Sequence, residues 1–239
     1  MGDRIELTES VTYELDGEVA VVRLDDGKVN TIPPATVHAL VEALDRAEAE
    51  ANALLLVGRE GKLSAGFDLE VMTSSVQAMR SLVGSGARLL MRLYGSPLPV
   101  VVACTGHALA MGALLLLASD SRVGSNGPAK IGLNEVAIGM GLPTFAVELA
   151  RDRLDPRCFT ASVLQGRIFD PAGAVEAGYL DRLSTPEDVV ADALEEARAL
   201  AGLRRGAVRE TKVRARGAMI KRVLATLDED MANTSAPKP

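Results

Sequence analysis

The sequence predicts an α/β fold built on a parallel sheet, and three observations carry that expectation. Ala53 to Val57 and Pro99 to Cys104 are short apolar runs without polar alternation, as strands covered on both faces require. Segments of helical period separate such runs: Val37, Leu40, Val41 and Leu44 follow Pro33-Pro34, and Met79, Leu82, Val83, Leu89, Leu90 and Leu93 recur between Val76 and Tyr94. From Asp155 the pattern turns mainly helical, which suggests a mixed core over residues 1–154 followed by a helical region over 155–233.

Taken in order, the first ten residues are polar and are expected to be loosely held. Val11–Leu15 and Glu18–Leu24 flank Asp16-Gly17, a short-range hairpin signal. Asp25 to Asn30 is a turn, and Pro33-Pro34 opens a helix that ends near Asn52. Ser64-Ala65-Gly66-Phe67-Asp68-Leu69 places small residues before a helix start, where glycine lets the backbone approach a ligand. Pro97 and Pro99 stop the Val76–Tyr94 helix. Thr105-Gly106-His107 reads as a turn, Asp120–Gly124 as a strand and Phe145–Arg151 as a helix. Further helices are expected at Pro156–Gln165, Pro171–Ala177, Glu187–Leu203 and Gly206–Asp230, with a strand at Leu180–Leu183, and residues 234–239 read as a disordered tail.

Val100 to Glu135 organises the rest. Ala110 to Ala118 is apolar all round, so this helix belongs in the core, with free N–H groups and the positive end of its dipole at the N-terminus. Glu135 is the one carboxylate that the following loop can deliver to such a donor end. On local sequence alone Glu135 reads as a solvated or capping residue, Asp68 as a cap, and His107 as a structural turn residue.

Composition narrows the function classes. A net charge of −6 and a pI near 5.1 give no overall pull toward nucleic acid or an anionic membrane, so no nucleic-acid or membrane partner is expected. Cys104 and Cys158 are too few for a disulfide framework and fit a reducing, cytoplasmic compartment; no signal peptide or membrane-spanning run is read. His38 and His107 lack Cys or carboxylate neighbours at ligand spacing, so no metal site is expected. Arg204, Arg205, Arg209, Lys212, Arg214, Arg216, Lys221 and Arg222 form a basic segment, read either as a solvated helix face or as a meeting point for phosphates.

Two segments resemble the oxyanion-hole loops of the enoyl-CoA hydratase/isomerase (crotonase) superfamily: Ser64 to Leu69, and Thr105-Gly106-His107-Ala108-Leu109-Ala110-Met111-Gly112 running on to Asp120. The resemblance implies a crotonase (ClpP-like) spiral of repeated ββα units, a C-terminal helical trimerisation region, and a homotrimer or dimer of trimers. It implies an acyl-CoA thioester as substrate, with coenzyme A part of that substrate and no separate cofactor. Its oxyanion donors would be the backbone N–H groups of Phe67 and Met111, and its base Glu135. Lys28, Val29, Ser64, Ala65, Gly66, Asp68, Leu69, Leu109, Gly112 and Leu114 would line the substrate site.

The chain departs from the family pattern where Thr105, Ala110 and Met111 stand, and above all at Leu114, where hydratases of the family carry a glutamate. Water addition as the family performs it uses two carboxylates, whereas moving a double bond needs one base. Ile131-Gly132-Leu133-Asn134-Glu135 resembles the corresponding segment of Δ3,Δ2-enoyl-CoA isomerases, so 3-enoyl to 2-enoyl isomerisation is the expected reaction. The alternatives are an enoyl-CoA hydratase with a non-standard acid, and an acyl-CoA-binding member with weak turnover.

Overall fold

The computed structural model describes residues 4–234. Its elements begin with β1 (Ile5–Thr8), β2 (Val11–Asp16), β3 (Val19–Leu24), β4 (Thr31–Ile32), α1 (Pro34–Glu50), β5 (Ala53–Val57), β6 (Gly61–Ser64) and β7 (Gly66–Phe67). Next come α2 (Leu69–Ser74), α3 (Val76–Gly95), β8 (Val100–Cys104), β9 (Gly106–Leu109), α4 (Met111–Leu117), β10 (Ser121–Ser125) and β11 (Ile131–Gly132). A 3₁₀ turn (Val136–Ile138) leads to α5 (Thr144–Arg153), α6 (Pro156–Val163), α7 (Pro171–Ala177), β12 (Arg182–Ser184), α8 (Val189–Ala201) and α9 (Arg205–Asn233). The tail expected over 234–239 lies, apart from Thr234, outside the described residues.

The main sheet runs β1-β2-β3-β5-β8-β10-β12, antiparallel through β3 and parallel from there on. Its first strand corrects the sequence reading: Ile5 to Thr8 is an ordered edge strand, not a loose leader. The hairpin at Asp16-Gly17 forms as expected, with Gly17 at φ 60°. Alternate residues of the parallel strands feed two cores, which explains their unbroken apolar sequence. Val19, Val21, Leu55, Val57, Val101 and Val123 meet α8 through Val189, Ala193, Ala197 and Ala201; Val22, Leu54, Leu56, Val100 and Val102 face the larger core. Because β12 and α8 return to this sheet, the chain after residue 155 shares a core with the strands before it.

Helix α4 crosses the larger core with all seven of its residues buried. So short a helix is unstable alone and is held by packing. At its far end Asp120 gathers a buried ionic cluster: its carboxylate accepts from Val100 N–H at 2.7 Å, from Lys212 Nζ at 2.5 Å and from Arg216 at 2.7 Å. Lys212 also donates to Leu98 O at 2.7 Å, and the Arg216 guanidinium lies over the Tyr94 ring. The basic segment is therefore not one solvated face. Burial pulls the Lys212 ammonium pKa down, and the Asp120 charge pushes back against that.

Thr105-Gly106-His107, expected as a turn, leads into β9 in a second, three-stranded parallel sheet ordered β11-β9-β6. Gly106 is there because strands meet closely: a Cβ on it would lie 2.0 Å from the Gly61 backbone. His107 holds this sheet together, its Nδ1 accepting from Lys130 N–H at 2.8 Å.

Candidate active site

The three-stranded sheet brings three chain segments to one edge. Ser64 pairs with Ala108, Ala108 with Ile131 and Leu109 with Gly132, so all three parallel strands end together. From those ends the chain continues as Ala65-Gly66-Phe67, as Ala110-Met111 and as Leu133-Asn134-Glu135. Carboxyl ends of parallel strands are where α/β folds place ligands.

The first two segments supply main-chain donors. In the β4–β7 pairing Asp68 N–H donates to Ile32 O at 3.3 Å, so the Phe67 amide, one residue back, faces away from β4. Met111 is the first residue of α4, and its N–H has no acceptor within the helix. Gly66 lets the two segments close up: with φ 105°, a Cβ on it would sit 2.9 Å from Ala110 Cβ and 3.6 Å from Met111 N. Ala110 is itself strained at φ 51°, ψ −118°, a conformation that costs a non-glycine residue about 1–3 kcal/mol. Its N–H to Gly132 O bond (3.1 Å) and the Leu114 N–H to Ala110 O bond (3.0 Å) hold it there, so that α4 starts with its first amide uncovered.

The Phe67 and Met111 side chains both reach toward α3. The Phe67 ring fills the space beside Gly86 of α3, where a Cβ would come within 2.4 Å of it, and Met111 Cε lies 3.6 Å from the same point. Sequence reasoning did not find Gly86, although a glycine inside an apolar helix is a signal for close approach. Gly112, one residue into α4, lies so near Ser64 O that a Cβ would meet it at 2.4 Å.

The third segment carries Glu135. Its backbone is pinned by two bonds to its carbonyl, from Ile138 N at 3.1 Å and Met140 N at 2.9 Å. Part of the residue is exposed, but Oε2 is buried with no partner, the only carboxylate oxygen so placed among the described residues. Burial raises its pKa from 4.5 to about 7. Between those values the folded chain holds a proton at Glu135 that the unfolded chain has released, so the stability this group contributes is full at acid pH and is lost as pH rises through 7. Urea unfolding should show Glu135→Gln matching the parent near pH 4.5 and exceeding it by roughly 2–3 kcal/mol above pH 7. A pH-independent difference would contradict this reading.

Of the other expected site residues, several prove to hold the loops. Ser64 Oγ donates to Asn30 O at 2.6 Å and accepts from Gly66 N, while Asp68 caps α2 by accepting from Val71 N at 3.0 Å. Leu114, one turn along α4, is buried. Lys28 and Val29 are exposed on the turn whose Val29 O accepts from Ala65 N at 3.0 Å, and Ala65 and Leu69 are exposed beside it. Asn30, buried at φ 55°, ties that turn to β6 by donating to Leu24 O and Leu63 O. Asp26, which accepts from Lys28, Asn30 and Thr31 N–H groups, shapes the same turn. Among the described residues no three His, Cys, Asp or Glu side chains come together to hold a metal ion, and no helix is long and apolar enough to cross a membrane.

A seven-stranded main sheet, a three-stranded sheet whose strand ends carry these loops, and the helices that follow make up the crotonase class of α/β fold. The chain belongs to the enoyl-CoA hydratase/isomerase family, whose model matches residues 14–236. A crystal structure of an enoyl-CoA hydratase/isomerase family protein from Pseudomonas syringae superposes with a TM-score of 0.93 at 41% identity, covering 96% of this chain and 100% of that one. An enoyl-CoA hydratase from Mycobacterium marinum gives 0.90 at 40% identity, covering 95% and 100%. Human mitochondrial delta3-delta2-enoyl-CoA isomerase gives 0.90 at 28% identity, covering 94% and 90%. These similar proteins carry both reaction names, so the choice between them turns on the residues of the site.

Proposed function

We propose that the chain is an enoyl-CoA isomerase that converts a 3-enoyl-CoA to the conjugated 2-enoyl-CoA with Glu135 as its only proton carrier. The observation that carries this reading is the buried, unpartnered Glu135 Oε2, together with an apolar Leu114 where a second acid would be needed to activate water. The ionised carboxylate takes a proton from C2, and the electron pair left behind spreads into the thioester carbonyl. The Phe67 and Met111 amides hold the oxygen that gains charge, each contributing about 3 kcal/mol to the transition state. The Glu135 acid then returns the proton to C4, and the double bond lies between C2 and C3.

A base with a pKa near 7 can both accept and give back a proton at neutral pH. Coenzyme A would enter as part of the substrate, along the exposed turn of Lys28 and Val29 and the strand end at Ala65. The test is direct: with a 3-enoyl-CoA, absorbance of the conjugated thioester should grow, and its rate should rise with pH along a limb centred near 7. No conjugation, or hydration of a 2-enoyl-CoA at a comparable rate, would overturn the proposal.

A further inference from the structure

Four buried polar atoms without partners fall on two segments packed behind the candidate site: Asn134 Oδ1, Glu135 Oε2, Ser162 Oγ and Tyr179 OH. The segments are joined by the Ile131–Phe169 bridge, with bonds of 3.0 and 2.9 Å, and Gly166 packs against Ala137. Tyr179 stands against Phe169, ring centroids 5.9 Å apart, and both it and Ser162 are wholly buried. Buried hydroxyls are almost always paired, because an unpaired one gives up its bonds to water for nothing. None of the four is hydrogen-bonded to another in the structure, yet the Glu135 charge acts on the Tyr179 phenol across the space between them.

We propose that Tyr179 is a positioning residue for Glu135: a shift of the two side chains toward each other lets its O–H donate to the buried Oε2, with Ser162 O–H donating to the Tyr179 oxygen and Oε1 left to move the proton. Burial pushes the phenol pKa up, Ser162 pulls it down, the Glu135 charge pushes it up again, and the Leu133 backbone pulls it down. Cys158 of α6 is the other titratable group acting on the phenol, in the same direction as Glu135. Tyr179 thus stays a neutral donor wherever Glu135 titrates. A donor aimed at the carboxylate favours its ionised form, so removing it raises the Glu135 pKa further. The kinetic part of this inference rests on the isomerase reading; the contact itself does not.

Isotope-edited infrared titration of the Glu135 carboxyl in the resting protein, for the parent, Tyr179→Phe and Ser162→Ala, separates the two. Tyr179→Phe should raise the midpoint by about one unit, and Ser162→Ala should raise it less. From the smaller ionised fraction alone, kcat at pH 7 should fall about fivefold in Tyr179→Phe with KM little changed. An unchanged midpoint in both variants would overturn the proposal, and should Tyr179→Phe fail to fold, the Ser162→Ala midpoint decides it. A shifted midpoint in a protein that conjugates no 3-enoyl-CoA would uphold the contact and sink the isomerase reading instead.

Discussion

Replacing Glu135 by Gln is expected to cut conjugation of a 3-enoyl-CoA by at least about a thousandfold while leaving acyl-CoA affinity nearly unchanged. General acid–base groups contribute on the order of 10² to 10⁴ in rate, and here one group serves both half-reactions, so the loss belongs at the upper end. Affinity should survive because the proposed mechanism has the thioester gripped by main-chain amides, Phe67 N–H and Met111 N–H, which the substitution does not touch. Glutamine also fills the same volume beside the 3₁₀ turn that starts at Val136, so the backbone bonds from Ile138 and Met140 to residue 135 stay in place. Steady-state rates and equilibrium titration with a saturated acyl-CoA check both halves. Parallel loss of rate and affinity would mean that Glu135 shapes the cavity instead of moving protons.

Asp120→Ala should destabilise the fold by about 3–5 kcal/mol, a large part of the roughly 5–15 kcal/mol that holds a typical domain. The size comes from the charges left behind. Lys212 and Arg216 side chains are only 8% and 14% exposed, and without Asp120 they have no opposite partner in the core. The Val100 amide loses its acceptor at the same time, at the start of the interior strand β8. Urea unfolding measures the change, and the Asp120→Leu, Lys212→Met, Arg216→Met triple variant should recover most of it, since apolar replacement of a buried ionic triad is often neutral. A loss below about 1 kcal/mol would show that the cluster behaves like a surface ion pair.

Much of the scaffold was legible because its signal is local. The β5 and β8 runs and the apolar α4 announce two-sided burial in their composition, and the proline pairs mark where α1 starts and α3 stops. The misses have long-range causes. Gly106 reads as a turn, yet its glycine is required by the Gly61 backbone of a neighbouring strand. Lys212 and Arg216 read as part of a charge run, although they continue, one turn apart, the stripe of Val223, Leu227 and Met231 on α9. Ile5 to Thr8 is too short and too exposed to show the alternation of an edge strand.

The site divides in the same way. Small residues before two helix starts pointed to the donor loops, but the role proposed for Glu135 came from resemblance, since a lone glutamate in a loop carries no mark of burial. Its groundwork in Asn30, Gly86 and Ala110 lies in backbone angles and close contacts that composition does not encode. Tyr179 and Ser162 are far from Glu135 in the chain, so only the packing of residues 131–137 against 162–179 reveals them together.

The central claim is that one carboxylate carries the proton from C2 to C4, and isotope transfer tests it most directly. A 3-enoyl-CoA deuterated at C2 and converted in ordinary water should give a 2-enoyl-CoA in which mass spectrometry and NMR find a measurable fraction of the deuterium at C4. A C4 position filled wholly from solvent, or a 3-hydroxyacyl product, would contradict it.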